Sequence, residues 1–284
     1  MCVASRRWLQ ISPARSWDGL STKGPSRWRR RWPYLAAAML LESSAVADEG
    51  AQKRIDLAAL TPRDWRRLIT DLASARLVCF PTDTVYGVGG LLRPATGEAI
   101  QVAKGREMGK PLQVIFPSLE LLLATVELSA VLTNVVRRLL PGPVTLLVPY
   151  PATFDYPPPG SVAHERRGAR RRTETYQAAT LGVRVPRWPE RARVLGALTL
   201  PLLASSANRS GAPEARSLVE VDHTVRAACD LLLDGGEVDG RPSTVIDFSS
   251  YEEDGKWRVV RPGALGEAAI REMLRRKRKD LPDL

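Results

Sequence analysis

Histidine is nearly missing from this 284-residue chain, which has only His164 and His223. Neither stands in a metal-ligand spacing such as H-E-x-x-H, which argues against a histidine-built metal centre and a Ser-His-Asp triad. Whatever chemistry the chain performs is expected to run without histidine. Cysteine is scarce as well: Cys2, Cys79 and Cys229 lie far apart with no C-x-x-C pair. That argues against a disulfide framework and a zinc site, and it suits a reducing compartment. Long apolar runs are lacking too. Leu35 to Leu41 is seven residues, too short to cross a bilayer, and no other segment qualifies, so no membrane span is expected. Dinucleotide and Walker fingerprints are absent. The stretch Gly105-Arg106-Glu107-Met108-Gly109-Lys110-Pro111 has the wrong glycine spacing, and proline stands where serine or threonine would bind magnesium.

Positive charge is what the chain has in excess, with a formal net charge of +11. It is unevenly placed. Residues 1–41 carry +7, His164 to Arg172 add +4 and Arg271 to Lys279 add +5, which leaves a body of about −5. Two readings of these basic appendages stay open, solvated or flexible ends and contact with nucleic acid. The arginine-rich, acid-poor composition of the first 41 residues is that of a mitochondrial transit peptide, or of a disordered leader with Met39 as an internal start. The expected organisation is a leader over 1–50, one domain over 51–272 and a basic tail over 273–284. Within the domain, residues 151–179 form a Pro-rich then Arg-rich loop insert, either a surface loop or a lid.

From Thr61 the pattern becomes regular. Thr61-Pro62 reads as an N-cap and first helical residue, with Trp65, Leu68, Ile69 and Leu72 on one helical face. Short apolar runs predict strands at Leu77–Phe80, Leu112–Phe116, Val144–Val148, Leu181–Val185, Leu202–Ala204, Leu231–Leu233, Val245–Phe248 and Val259–Val260. Helices are expected over Thr96–Ala103, Ala130–Leu140, Pro189–Leu198, Leu218–Ala228 and Gly266–Arg276. The alternation implies an α/β fold with a mixed sheet.

Four places carry candidate chemistry. Lys104-Gly105-Arg106, with Lys110-Pro111 beyond, puts cations at a helix end before a strand, where they either hold a polyanion or merely complement the helix dipole. Ser205-Ser206-Ala207-Asn208 emerges from a buried strand, where α/β sheets place ligands, although taken in isolation it is better explained as a turn satisfying its own backbone. Arg184 sits between Val183 and Val185, so its charge needs an anionic partner or a route to solvent. Thr82, after a strand-ending proline, either caps a turn or faces a pocket.

Together these segments resemble the YrdC family of threonylcarbamoyl-AMP synthases, in order along roughly residues 60–265. The motifs that carry the resemblance are Pro81-Thr82-Asp83-Thr84-Val85-Tyr86-Gly87, Lys104-x-Arg106 with Lys110-Pro111-Leu112, Pro141-Gly142-Pro143-Val144-Thr145, Gly182-Val183-Arg184-Val185-Pro186, Ser206-x-Asn208, Ser243-Thr244-Val245 and Arg261-Pro262-Gly263. The resemblance implies a single YrdC-like domain, a twisted mixed sheet flanked by helices with a concave substrate cleft. It implies an L-threonylcarbamoyladenylate synthase that uses ATP, L-threonine and bicarbonate, with magnesium carried by ATP and no metal ligands of its own. By the same resemblance Lys104 and Arg106 are catalytic. Lys104, Arg106, Lys110, Thr180, Ser206, Asn208 and Arg261 contact ATP, and Thr82, Arg184 and Ser243 surround threonine. The implied partner is a downstream tRNA threonylcarbamoyl transferase, with weak tRNA contact through the basic appendages and residence in cytosol, mitochondria or both. Two departures stand out: Glu107 follows the K-x-R pair where many relatives have proline, and Ile115 stands near a histidine that some relatives use. The rival classes are a non-catalytic RNA-binding module and a hydrogenase-maturation carbamoyl-transfer domain. The latter needs zinc-finger cysteines that this chain lacks.

Overall fold

The computed structural model describes residues 52–106, 112–151, 154 and 180–275. Lys110, the whole leader, the insert apart from residues 151 and 154, and most of the tail therefore lie outside the described residues. Within the described residues ten strands form one sheet. In chain order the elements are β1 (Lys53–Asp56), a 3-10 turn (Leu57–Ala59), α1 (Pro62–Ser74), β2 (Val78–Pro81), β3 (Tyr86–Leu91), α2 (Pro94–Lys104), β4 (Gln113–Ile115), α3 (Leu119–Thr125) and α4 (Ala130–Leu139). There follow β5 (Val144–Pro149), β6 (Thr180–Arg184), a 3-10 segment (Glu190–Ala197), β7 (Leu202–Ser206), α5 (His223–Ala227), β8 (Leu231–Asp234), β9 (Thr244–Asp247), α6 (Tyr251–Asp254), β10 (Arg258–Arg261) and α7 (Glu267–Arg275). The sheet order is β1-β8-β2-β3-β7-β4-β6-β5-β9-β10. It is mixed, as expected: β4 runs parallel to β6, while β4 with β7 and β5 with β6 are antiparallel.

Helix boundaries follow local chemistry. The Thr61 hydroxyl accepts from Asp64 N while the Asp64 carboxylate accepts from Thr61 N, a reciprocal cap that starts α1. Ser118 and Ser129 cap α3 and α4 from one side only, accepting from Leu121 N and Leu132 N. α2 ends at Gly105, whose φ of 56° is left-handed and favours glycine. Two expectations are corrected. Where a helix is expected over Pro189–Leu198 the chain forms a 3-10 segment over Glu190–Ala197, in a stretch that enters on Pro189 and contains Val194 and Gly196, all weak helix formers. The helix expected over 218–228 is confined to His223–Ala227, because the Asp222 carboxylate accepts from Thr224 N and Val225 N and so sets the start there.

Because side chains alternate across a strand, the sheet has two unlike faces. Val88, Val114, Leu146, Val183, Leu203 and Ile246 point to one face and pack under α2, α3, α4, α5 and α7 through residues such as Ile100, Leu122, Val136, Val225 and Ile270. On the opposite face Val78, Phe80, Ile115, Leu202 and Leu233 are covered by Leu68 and Leu72 of α1 and by Ala192 and Leu195 of the 3-10 segment. The second cover is short. It leaves the middle of that face, around Gln113, Gly182 and Thr145, open as a cleft.

Two strands are not foreseen from the pattern: β1, Lys-Arg-Ile-Asp, which has a single apolar residue, and β3, Tyr-Gly-Val-Gly-Gly-Leu, which is buried along its whole length. Glycine is a poor strand former, but a close approach requires it here: a Cβ on Gly89 would stand 2.2 Å from the Leu203 carbonyl oxygen.

Candidate active site

The cleft has a volume of about 650 Å³ and is walled by strand ends and the loops that leave them. Its floor is polar. Thr145 Oγ1 donates to Gln113 Oε1 at 2.8 Å and lies 2.9 Å from Ser243 Oγ, and Arg261 Nη2 donates to the Ser243 carbonyl at 2.8 Å and to Ser243 Oγ at 3.2 Å. This chain of contacts ties β4, β5, β9 and β10 into one surface. Gly182 lies beside it in β6, where an added Cβ would meet Leu147 Cδ2 at 3.5 Å, ordinary contact, so glycine here keeps space open rather than relieving a clash.

One end of the cleft holds a buried cation. Arg184 is 2% exposed, and its Nη2 donates to Asp83 Oδ1 at 2.5 Å, Thr84 Oγ1 at 2.6 Å and Thr82 Oγ1 at 3.2 Å. The anionic partner that its place in an apolar strand demanded is therefore Asp83, which also accepts from Arg187 N at 3.0 Å. Arg184 Nε is buried without a partner, leaving one guanidinium donor unused. Thr82 is itself committed in part, since its hydroxyl donates to the Val85 carbonyl at 2.7 Å.

The other end is cationic and more open. Lys104 closes α2, is 3% exposed, and its ammonium donates to the carbonyls of Ser206 and Asn208 and to Asn208 Oδ1 at 3.1 Å. Burial, with a smaller push from Arg106, brings its pKa down to about 8, while Glu214 acts the other way. Among the described residues Arg106 makes a single long side-chain contact, Nη1 to Ser205 Oγ at 3.5 Å, and burial lowers its pKa. Burial also lowers that of Arg261, which feels Glu214 in opposition and the repulsion of Arg184 and Arg106. These side chains thus sit within electrostatic reach of one another. Lys104, Arg106, Arg184, Arg209 and Arg261 all line the cleft, against one carboxylate, Glu214. Such a surface takes anions with several charges.

Of the site residues expected from the sequence, Thr82, Lys104, Arg106, Arg184, Ser206, Asn208, Ser243 and Arg261 come together in this one cleft. Thr180 does not line it; it opens β6 opposite Pro149. Among the lining residues not expected as site residues, four stand out: Gln113, Thr145, Arg209 and Glu214. Gln113 and Thr145 interrupt apolar strands at inward positions, a readable signal. Arg209 and Glu214 lie on the loop after β7, and only the fold brings them to the site. Among the described residues no group of three His, Cys, Asp or Glu side chains is placed to hold a metal ion, and no helix is long and apolar enough to cross a membrane.

Comparison with known proteins places this geometry among relatives. The Sua5_yciO_yrdC family model, described as telomere recombination, matches residues 71–263. A threonylcarbamoyl-AMP synthase of Pyrococcus abyssi is 30% identical over 197 residues, covering 68% of this chain and 52% of that protein. One of Escherichia coli K12 is 31% identical over 190 residues, 64% of this chain and 89% of the relative. Among solved structures, P. abyssi Sua5 complexed with L-threonine superposes with a TM-score of 0.60 at 29% identity, covering 79% of this chain and 60% of that one. E. coli YciO, at 21% identity and a TM-score of 0.56, shares the fold over 75% of this chain and 97% of its own. The chain thus spans about half the length of the archaeal relative and most of the bacterial one.

Proposed function

The chain belongs to the Sua5/YciO/YrdC family, and from that membership we propose that it is an L-threonylcarbamoyladenylate synthase. In this reaction the amine of threonine takes up bicarbonate with loss of water, giving a carbamate. A carbamate oxygen attacks the α-phosphorus of ATP, forming a P–O bond there while the bond to the β-phosphate oxygen breaks and pyrophosphate leaves. The nucleophile is already anionic and charge grows on phosphate oxygens, so the reaction needs positioned cations and not a histidine acid-base pair.

The observation that carries this reading is the division of the cleft. A cationic end formed by Lys104, Arg106 and Arg209 suits a triphosphate, with Ser206 and Asn208 beside it and Arg261 on the polar floor toward the other end. The opposite end suits a small amino acid. The Arg184 guanidinium lines that end and suits a carboxylate, and the hydroxyls of Thr82 there and of Thr145 and Ser243 on the floor offer partners to a hydroxyl. A pocket built to hydrogen-bond that hydroxyl would reject valine, which leaves polar groups unpaired. Lys110 is assigned to ATP on the family pattern alone. The described residues supply no metal cage, so magnesium belongs with the nucleotide, where it would offset charge on the departing pyrophosphate. The product would pass to a tRNA threonylcarbamoyl transferase. The composition of residues 1–41 supports residence in mitochondria as well as cytosol, and a reporter fused to residues 1–45 that stayed wholly cytosolic would count against it.

The test is pyrophosphate release by the purified chain with ATP, bicarbonate and magnesium. Release should require threonine, fall sharply with valine, and be lost in a Lys104→Ala, Arg106→Ala variant. A folded protein that releases none, but binds RNA with steep salt dependence, would replace the synthase by a non-catalytic RNA-binding module.

A further inference from the structure

The carboxylate of Glu214 is the odd member of this cleft. Four arginines and a lysine line the same space, yet among the described residues Glu214 makes no ion pair: Arg184 is taken by Asp83, Lys104 by the Ser206 and Asn208 carbonyls, and Arg261 by Ser243. It is nevertheless close enough to Lys104 and Arg261 for its charge to oppose the lowering of both their pKa values. Its position on a loop does not make it loosely placed. The next residue, Ala215, is buried and its carbonyl accepts from Tyr86 N at 3.0 Å, while the preceding turn is held by Asn208 Nδ2 on the Ala212 carbonyl and by Ser210 N on the Lys104 carbonyl at 3.2 Å.

A fixed, half-buried carboxylate beside the residues proposed to hold a triphosphate repels that triphosphate unless a cation bridges the two. Magnesium sites on nucleotides commonly consist of one or two protein carboxylates, phosphate oxygens and water, not a complete protein cage. Glu214 is the single carboxylate among the described residues that line the cleft. We propose that Glu214 is the protein's contact, direct or through one water, to the divalent cation that arrives on the nucleotide, so that this cleft selects metal-bound over free triphosphate. The inference rests on the synthase reading and deepens it.

The experiment uses the full chain with Mn²⁺ as the metal and α,β-methylene-ATP as a nucleotide that cannot be cleaved at the α-phosphorus. Mn²⁺ binding is read by electron paramagnetic resonance, and nucleotide binding by calorimetry with and without metal. Glu214→Gln should weaken Mn²⁺ binding to the protein–nucleotide complex by about 10-fold to 100-fold. It should strengthen binding of the metal-free nucleotide, because a repulsive charge has gone. Glu214→Asp, which keeps the charge, should recover part of the metal affinity while resembling the parent toward metal-free nucleotide. Unchanged Mn²⁺ affinity in Glu214→Gln, or loss of both forms of binding together in a folded protein, overturns the proposal and leaves the synthase reading intact. Failure of the parent chain to bind nucleotide at all removes both.

Discussion

Asp83→Asn is the sharpest perturbation the site offers, because it removes one charge and almost no volume. Asp83 is 10% exposed and Arg184 2%, and Asp83 Oδ1 accepts from Arg184 Nη2 at 2.5 Å. Deleting one member of a buried pair costs about 3–5 kcal/mol, since the surviving charge stays in a poor dielectric without its counter-ion. The asparagine keeps an acceptor oxygen, and the hydroxyls of Thr82 and Thr84 remain within 3.2 Å of the guanidinium. We therefore expect a smaller loss, about 2–3 kcal/mol. With a urea slope of about 3 kcal/mol per molar for a domain this size, the unfolding midpoint should fall by about 0.7–1 M. Equilibrium unfolding followed by tryptophan fluorescence measures it. Arg241→Gln is the control, because its pair with Asp239 is exposed at 67% and 41% and should not shift the midpoint measurably. Threonine should return part of the loss in Asp83→Asn by supplying a carboxylate to the freed arginine. A midpoint within error of the parent, with near-ultraviolet circular dichroism unchanged, would refute the argument that Asp83 neutralises Arg184.

The remaining predictions concern charge and space. Lys104 has a pKa of about 8 in the free protein, and a triphosphate binds its protonated form better. Nucleotide binding at pH 8 to 9 should thus take up protons, and affinity should fall as pH rises through 8; Lys104→Arg should flatten the profile. Calorimetry in buffers of different ionisation enthalpy reads the uptake, and its absence would show that Lys104 does not meet the nucleotide. Gly182→Ala should fold with the parent's melting temperature but raise the KM for threonine, since its methyl enters the cleft in ordinary contact. Gly89→Ala should cost about 3 kcal/mol or more, because its methyl would meet the Leu203 carbonyl at 2.2 Å and the backbone must move. Equal thermal stability of the two variants would contradict the sheet packing.

Much of the sheet was legible because each buried strand is a short apolar run, as in Leu-Leu-Leu-Asp of β8 or Val-Thr-Leu-Leu-Val-Pro of β5. β3 was not, because three of its six residues are glycines chosen for backbone approach, which leaves neither an apolar run nor strand propensity. The site was legible only in part from physics. Arg184 announced itself as a charge inside a strand, and its partner Asp83 lay in a motif already singled out. Lys104 and Arg106 looked no different from a helix-end charge cluster, and it was their order with other motifs that marked them. Arg209 and Glu214 had no signal at all: a charged residue on a loop is ordinary until folding aims it at a cleft.

The environment of Lys104 imposes a further condition on any ligand. An ammonium has three protons, and three short acceptors already use them: the carbonyl oxygens of Ser206 and Asn208 and Asn208 Oδ1. A phosphate oxygen can join only by displacing one. The backbone carbonyls are fixed at the end of β7, whereas Asn208 Oδ1 is the most distant of the three at 3.1 Å, belongs to a side chain that can rotate, and has a second donor in Ser206 Oγ at 2.5 Å. The exchange should therefore release the asparagine. Because Asn208 Nδ2 holds the Ala212 carbonyl, its movement would be felt along the loop that carries Arg209 and Glu214. In nitrogen-15 NMR, α,β-methylene-ATP should shift the Asn208 side-chain amide and Lys104 Nζ together, with the backbone amides of residues 209–214 following. A Lys104 resonance that moves while the Asn208 amide stays still would mean that the phosphate displaces a carbonyl instead, and that the turn is a rigid wall and not a moving part of the site.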